Sequence, residues 1–310
     1  MTLQFKAGTY VGDGTDNRNI TGVGFTPKFV MTGDATGASD GKAMRADINP
    51  ATDAESHSIG ENSGFLADAI QAIQADGFQV GTSNRVNANA VTYHYMAWGG
   101  DATDIKTGSY AGNGADNRGI TGVGFQPAWV VVFGTQNAHA RHKMNSTGAA
   151  VDTGQYFTAL ANAADSIQSL DADGFTIGTS TDVNAAGQTY HFVAIKSNAT
   201  NSFNSSFVGN ATDNRSIAGV GFQPTGVIVK AVDANAGVYR TSTETGDNTM
   251  PFRAGAEFAN GVQALEADGF QVGTDARVNV SGVTYHFLAF RAAPAAPVVD
   301  TKNTFFMVME

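Results

Sequence analysis

The chain has 310 residues, of which 42% are hydrophobic and only 15% charged, with 37 glycines and a net charge of −10. It contains no cysteine, which excludes disulfides, thiolate metal sites and a cysteine nucleophile. No stretch is basic enough to track a phosphate backbone, so no nucleic-acid partner is expected.

The first residues, MTLQFKAG, lack the apolar core of a signal peptide. No apolar run approaches the roughly 18 residues that a membrane span needs. A soluble chain without a membrane span or an N-terminal export signal is therefore expected.

Three sequence blocks recur in the same order. DNRNITGVGFTP begins at Asp16, DNRGITGVGFQP at Asp116 and DNRSIAGVGFQP at Asp213. DGFQVGT, DGFTIGT and DGFQVGT begin at Asp76, Asp173 and Asp268. VTYHYMAW, QTYHFVAI and VTYHFLAF begin at Val91, Gln188 and Val283. The period, about 95–100 residues, is too long for a solenoid unit of about 20–50 residues and is large enough for a small domain. The boundaries implied are 1–101, 102–198 and 199–292. Residues 293–310 follow as a Pro/Ala linker and an apolar tail, FFMVM, which is expected to add a strand to a neighbour and so support self-association.

Each module opens with a short strand around Tyr10, Tyr110 or Phe207. A turn follows (GDGTDNR, GNGADNR, GNATDNR), where Gly and Asn accept positive φ and Asx side chains bond the nearby backbone. After Pro27, Pro127 and Pro224 comes an apolar strand. The middle segments, residues 33–64, 134–154 and 233–254, differ most between copies. Residues 65–73 could fit a short helix, but strand is preferred because the equivalent 166–170 is too short for one. Asp-Gly between apolar runs then marks a hairpin across 171–174. A loop holding Val183 and Asn184 leads to the last strand, in which Tyr190, Phe192 and Ala194 face one way and His191, Val193 and Ile195 the other. A strand apolar on both faces belongs between two layers. The fold class expected is all-β: three tandem β-sandwich, jelly-roll-like modules.

Asp16-Asn17-Arg18, with Asp116-Asn117-Arg118 and Asp213-Asn214-Arg215, could build a ligand or calcium site, but a turn lock is the simpler reading. The EF-hand pattern is absent. His94, His191 and His286 could gather three imidazoles on a metal. Their apolar flanks favour core histidines paired with a backbone carbonyl or the turn Asp. His57, His139 and His142 occupy non-equivalent places and read as solvated loop residues. No nucleophile elbow, P-loop or zinc-helix motif occurs, so the expectation is a non-enzyme without cofactor, metal site or catalytic residue, its binding residues unassigned.

These motifs resemble modules that recur in tailed-bacteriophage virion proteins, in decoration and tail-fibre-like surface proteins of an uncharacterised family. The resemblance covers about residues 4–291. It implies a β-sandwich on the virion surface, made in the host cytoplasm, whose partners are the major capsid protein or other virion proteins. The role expected is capsid decoration or cement. The alternative is a tail-fibre or cell-surface adhesin that binds host-surface carbohydrate, for which Tyr156, Phe157, Tyr239 and Phe252 would be exposed contacts.

Overall fold

Runs rich in Val, Ile, Thr and aromatics, broken by Gly, Asn and Asp, favour short strands over helices. The computed structural model describes residues 3–37, 41–49, 56–148, 151–198 and 200–292. The first module holds β1 (Gln4–Val11), β2 (Arg18–Thr21), β3 (Phe29–Asp34), β4 (Ala43–Ala46), β5 (Ser56–Ser58), β6 (Phe65–Leu66), β7 (Ile70–Gln74), β8 (Gly77–Val80), one helical turn α1 (Asn84–Asn87) and β9 (Thr92–Gly99). The second repeats it with β10 (Ile105–Ala111), β11 (Arg118–Thr121), β12 (Trp129–Gly134), β13 (Arg141–Met144), β14 (Gln155–Tyr156), β15 (Ile167–Asp171), β16 (Gly174–Ile177), α2 (Thr181–Asn184) and β17 (Thr189–Ile195). The third has β18 (Ser202–Val208), β19 (Arg215–Ala218), β20 (Gly226–Ala231), β21 (Val238–Thr241), β22 (Met250–Pro251), β23 (Val262–Glu266), β24 (Gly269–Val272), α3 (Ala276–Asn279) and β25 (Thr284–Phe290).

Every module is a sandwich of two antiparallel sheets. In the second, the large sheet runs β10-β17-β12-β13-β14 and the small one β11-β16-β15. The first and third keep that order, β6 extending the first. Residues 65–73 are not helical, as expected, but the strand is broken by a turn at 67–69 between β6 and β7. The Asp-Gly hairpin also forms, pairing Leu170 with Phe175 and Asp171 with Gly174. The loop around Val183 and Asn184 instead contains a helical turn capped by Ser180, whose hydroxyl accepts from the Asp182 amide. Four residues are too few to leave a helical period in the sequence. The tail expectation falls on 293–310, outside the described residues.

Between its two sheets each module has its own core. In the second this contains Ile120, Val130, Val132, Phe175, Tyr190, Phe192 and Ala194. The other face of β17 does not meet solvent. Val193 and Ile195 join Trp129, Val131 and Phe133 in a separate cluster, together with Phe5, Phe29, Met96 and Trp98 of the first module and Ile228, Tyr239, Phe252, Leu288 and Phe290 of the third. Each module thus keeps its own core, and in addition the large sheets turn their second faces to one another around a shared core. Trp98, Trp129, Phe29, Phe5 and Phe290 form its aromatic end, with Trp98 and Trp129 centroids 5.7 Å apart and Phe5 stacked on Phe290 at 5.2 Å.

The packing runs head to tail and closes. The hydroxyl of Thr107 on β10 donates to Asp47 after β4. Strand β18 packs on the 3-10 turn Asn145–Thr147 after β13. Phe5 on β1 fills the space over Gly226, where a Cβ would stand 2.5 Å from the Phe5 ring. The result is a pseudo-threefold ring built from one chain.

Candidate functional site

The Asp-Asn-Arg turns behave alike in all three modules. Asn17, Asn117 and Asn214 lie at φ 55°, 55° and 56°, the left-handed region that Asn tolerates. Asp16 accepts from the Asn17 amide and from Gln71. The Arg18 guanidinium lies over Tyr10, 5.6 Å from its centroid, and donates to the Val11 carbonyl at 2.6 Å and to Asn87 Oδ1 at 3.1 Å. Arg118 and Arg215 repeat this on Tyr110 with Ala111 and on Phe207 with Val208. These arginines spend their hydrogen bonds on the backbone and the Asn side chain of their own module, so the motif locks a turn.

The residue at the centre of that lock escaped the sequence reading. Asn184 is fully buried; its Oδ1 accepts from the Asn113 amide and Arg118, and its Nδ2 donates to Ala115 and Gly178 carbonyls. Asn87 and Asn279 do the same. Their recurrence after Val86, Val183 and Val278 was the available signal. Replacing Asn184 with Ala strands these groups and should lower the unfolding free energy by about 1–3 kcal/mol, read from urea midpoints. An unchanged midpoint would remove Asn184 from the lock.

The second recurrent clamp is Asp173, whose carboxylate accepts from the Gly122 amide at 3.1 Å and the Gly124 amide at 2.6 Å. The Gly124 and then the Gly122 bond hold its pKa below the usual carboxylate value. Asp76 and Asp268 bind the corresponding glycine amides.

The repeat histidines do not converge on the axis. Each enters a different junction. His94 Nδ1 lies 2.8 Å from Thr243 Oγ1 and 3.5 Å from Glu244 Oε1 of the third module. His286 Nδ1 lies 3.2 Å from Ser146 Oγ of the second. His191 stacks on Phe133 and meets Phe65 of the first module at 5.9 Å. The expected partners, a carbonyl or the turn Asp, are thus replaced by side chains of the neighbouring module. Among the described residues no group of three or more His, Asp or Glu is placed to hold a metal ion.

Two further expectations change. His57 and His142 are 0% and 1% exposed, not solvated. His57 packs on Phe65 and, across the junction, on Phe133; His142 packs on Phe157 at 4.2 Å. Only His139 is partly exposed, edge-on to Tyr156. Of the aromatics expected at a carbohydrate surface, Phe157, Tyr239 and Phe252 are buried in the shared core. Tyr156 is partly exposed, but Arg141 covers its ring at 3.3 Å.

A family model described as a domain of unknown function, DUF7483, matches residues 2–106 and again residues 101–205. The chain belongs to the DUF7483 family. Each DUF7483 match spans one module and runs a few residues into the next, to about the first strand of its successor. The third module carries the same three motifs and the same Asn279 and Asp268 contacts. No curated protein and no solved structure matches the chain.

A surface cavity of about 340 Å³ is lined by Gln223, Pro224, Thr225, Arg240, Ser242 and Glu244 of the third DUF7483 module. Glu244 is pushed up to about 7, first by burial, against the lowering effect of its bonds to Thr241. No helix among the described residues is long and apolar enough to cross a membrane.

Proposed function

We propose that the chain is a non-enzymatic structural protein of a bacteriophage virion, a decoration or cement protein that sits on the outer capsid surface and binds the major capsid protein. The observation that carries this reading is the closed ring: one chain presents three like modules around a pseudo-threefold axis. Such an object matches a site where three capsid subunits meet. Three linked weak contacts then gain strength from effective concentration. The chain's net charge of −10 suits a basic patch on the partner. The locked turns sit beside exposed Val11 and Val208, offering a recurrent contact on the module ends. The burial of Phe157, Tyr239 and Phe252 counts against the adhesin alternative, because sugar-binding surfaces need accessible aromatic faces.

Cryo-electron microscopy of intact particles tests the proposal. Density for the ring at threefold-related positions of the capsid is expected. Density confined to the tail would overturn it, and reproducible binding on a glycan array would transfer the assignment to the adhesin.

A further inference from the structure

We propose that the three module junctions form an acid-labile lock, in which neutral imidazoles hold the ring closed and their protonation opens it. The inference goes beyond the proposed role on the virion and does not depend on it.

Its basis is placement. The chain has six histidines, and five of them (His57, His94, His142, His191 and His286) are buried at the junctions, each no more than 6% exposed. Among the described residues, Nε2 of His57 and Nδ1 of His191 have no hydrogen-bond partner, and the His142 ring has only the Tyr156 backbone to accept a proton it gains. An imidazolium there would bring an extra buried N–H and a charge into an aromatic surrounding. Neither is tolerated without a partner.

The charged neighbours add to this. At the junction of the first two modules, Arg45 acts on His191, and His139 and His191 act on His57. Asp182 nearby is paired with Arg141 at 2.8 Å. At the next junction, Lys143 and Lys230 face His286, while Lys230, Arg141 and His286 face His142. Both lysines are held down to about 8, first by burial, with Asp152 and Asp233 respectively opposing. At the third junction His94 meets Lys42, which is paired with Asp34 at 3.0 Å, and Glu244. Acid would therefore load positive charge onto junctions already rich in cations.

Burial holds His57, His94 and His286 at about 4 and His142 at about 3, and lowers His191, all from an ordinary 6.5. The folded ring thus binds fewer protons than the open chain. The stability that the histidines contribute is complete above pH 6.5 and falls as pH drops toward 4. Glu244, raised to about 7, acts in the opposite direction between 7 and 4.5, one group against five. At pH 5.5 each imidazole held near 4 shifts the opening equilibrium by about tenfold.

The test uses the full chain. Hydrogen exchange, corrected for intrinsic rates, is followed at pH 7.5 and 5.5 on the junction amides of Gly237 and Glu257, which bond Phe157 and Ala35 across modules. Their protection should fall at least tenfold more than that of the hairpin amides in β15 and β16. Equal loss everywhere, or none, would overturn the lock. In parallel, the urea midpoint should drop between pH 6.5 and 4.5, and the triple variant His94→Gln, His191→Gln, His286→Gln should flatten that drop. A triple variant as acid-sensitive as the parent would refute the assignment to the repeat histidines. If the triple variant does not fold, the exchange experiment on the parent chain decides alone.

Discussion

A chain cut to the middle module, residues 102–198, should not persist as a soluble monomer. Its inner sheet face carries Trp129, Val131, Phe133, Val193 and Ile195, each no more than 1% exposed in the ring and packed in the cluster shared with both neighbours. Cutting them free opens one contiguous apolar face. Monomeric proteins rarely tolerate exposed patches above a few hundred Å². Light scattering after gel filtration should show aggregates at micromolar concentration, whereas the full chain should be monodisperse and unfold in one transition. A well-behaved monomer of the fragment with a cooperative melt would show that the modules do not need the shared core. A closed homotrimer of the fragment is not expected, because the axis positions are not interchangeable. Where the middle module has Trp129, the first has Phe29 and the third Gly226, and the space over Gly226 belongs to Phe5. Three tryptophans at that level would overfill it.

The second large effect concerns Trp129 itself. Trp129→Ala should cost about 3–5 kcal/mol in unfolding free energy, the range for removing a large buried aromatic. Its ring centroid lies 6.2 Å from Phe29, 5.7 Å from Trp98 and 6.2 Å from Phe290, so the cavity opens between the first, second and third modules together. The loss should appear as a lower urea midpoint with one unchanged cooperative transition, and exchange protection should fall in all three modules. A change below 1 kcal/mol, or a loss restricted to residues 102–198, would contradict a common core.

Much of the module was legible because scaffold and sequence repeat together. The Asp-Gly hairpin, the turn at Asn117 and the two-faced strand around Tyr190 and His191 follow from local chemistry that any copy must satisfy. The alternation on β17 announced a layer on each side but could not say that the second layer was another module. The contacts that answer it lie in the segments that vary most: Lys42 and His57, Asn137 and Ser146, Thr243 and Phe252. A head-to-tail junction pairs two different surfaces, so nothing requires the copies to match there. Strand β13 shows the same limit. Arg141-His142-Lys143-Met144 looks like a solvated segment, yet all four residues are buried. Lys143 is accommodated because its ammonium donates to the Val151 and Thr153 carbonyls, and Arg141 because it pairs with Asp182. Such compensation depends on where distant loops arrive, which periodicity does not record.

The head-to-tail arrangement has a consequence for copy number. Each module offers one giving face and one receiving face, and three of them, turned successively about a common axis, leave no face over. With two modules, a giving and a receiving face would stay open and leave their apolar surface to solvent. A fourth would have nowhere to insert. Triplication is thus the stoichiometry at which these modules saturate one another's valences, and the apolar faces that would otherwise meet solvent are spent inside a single molecule.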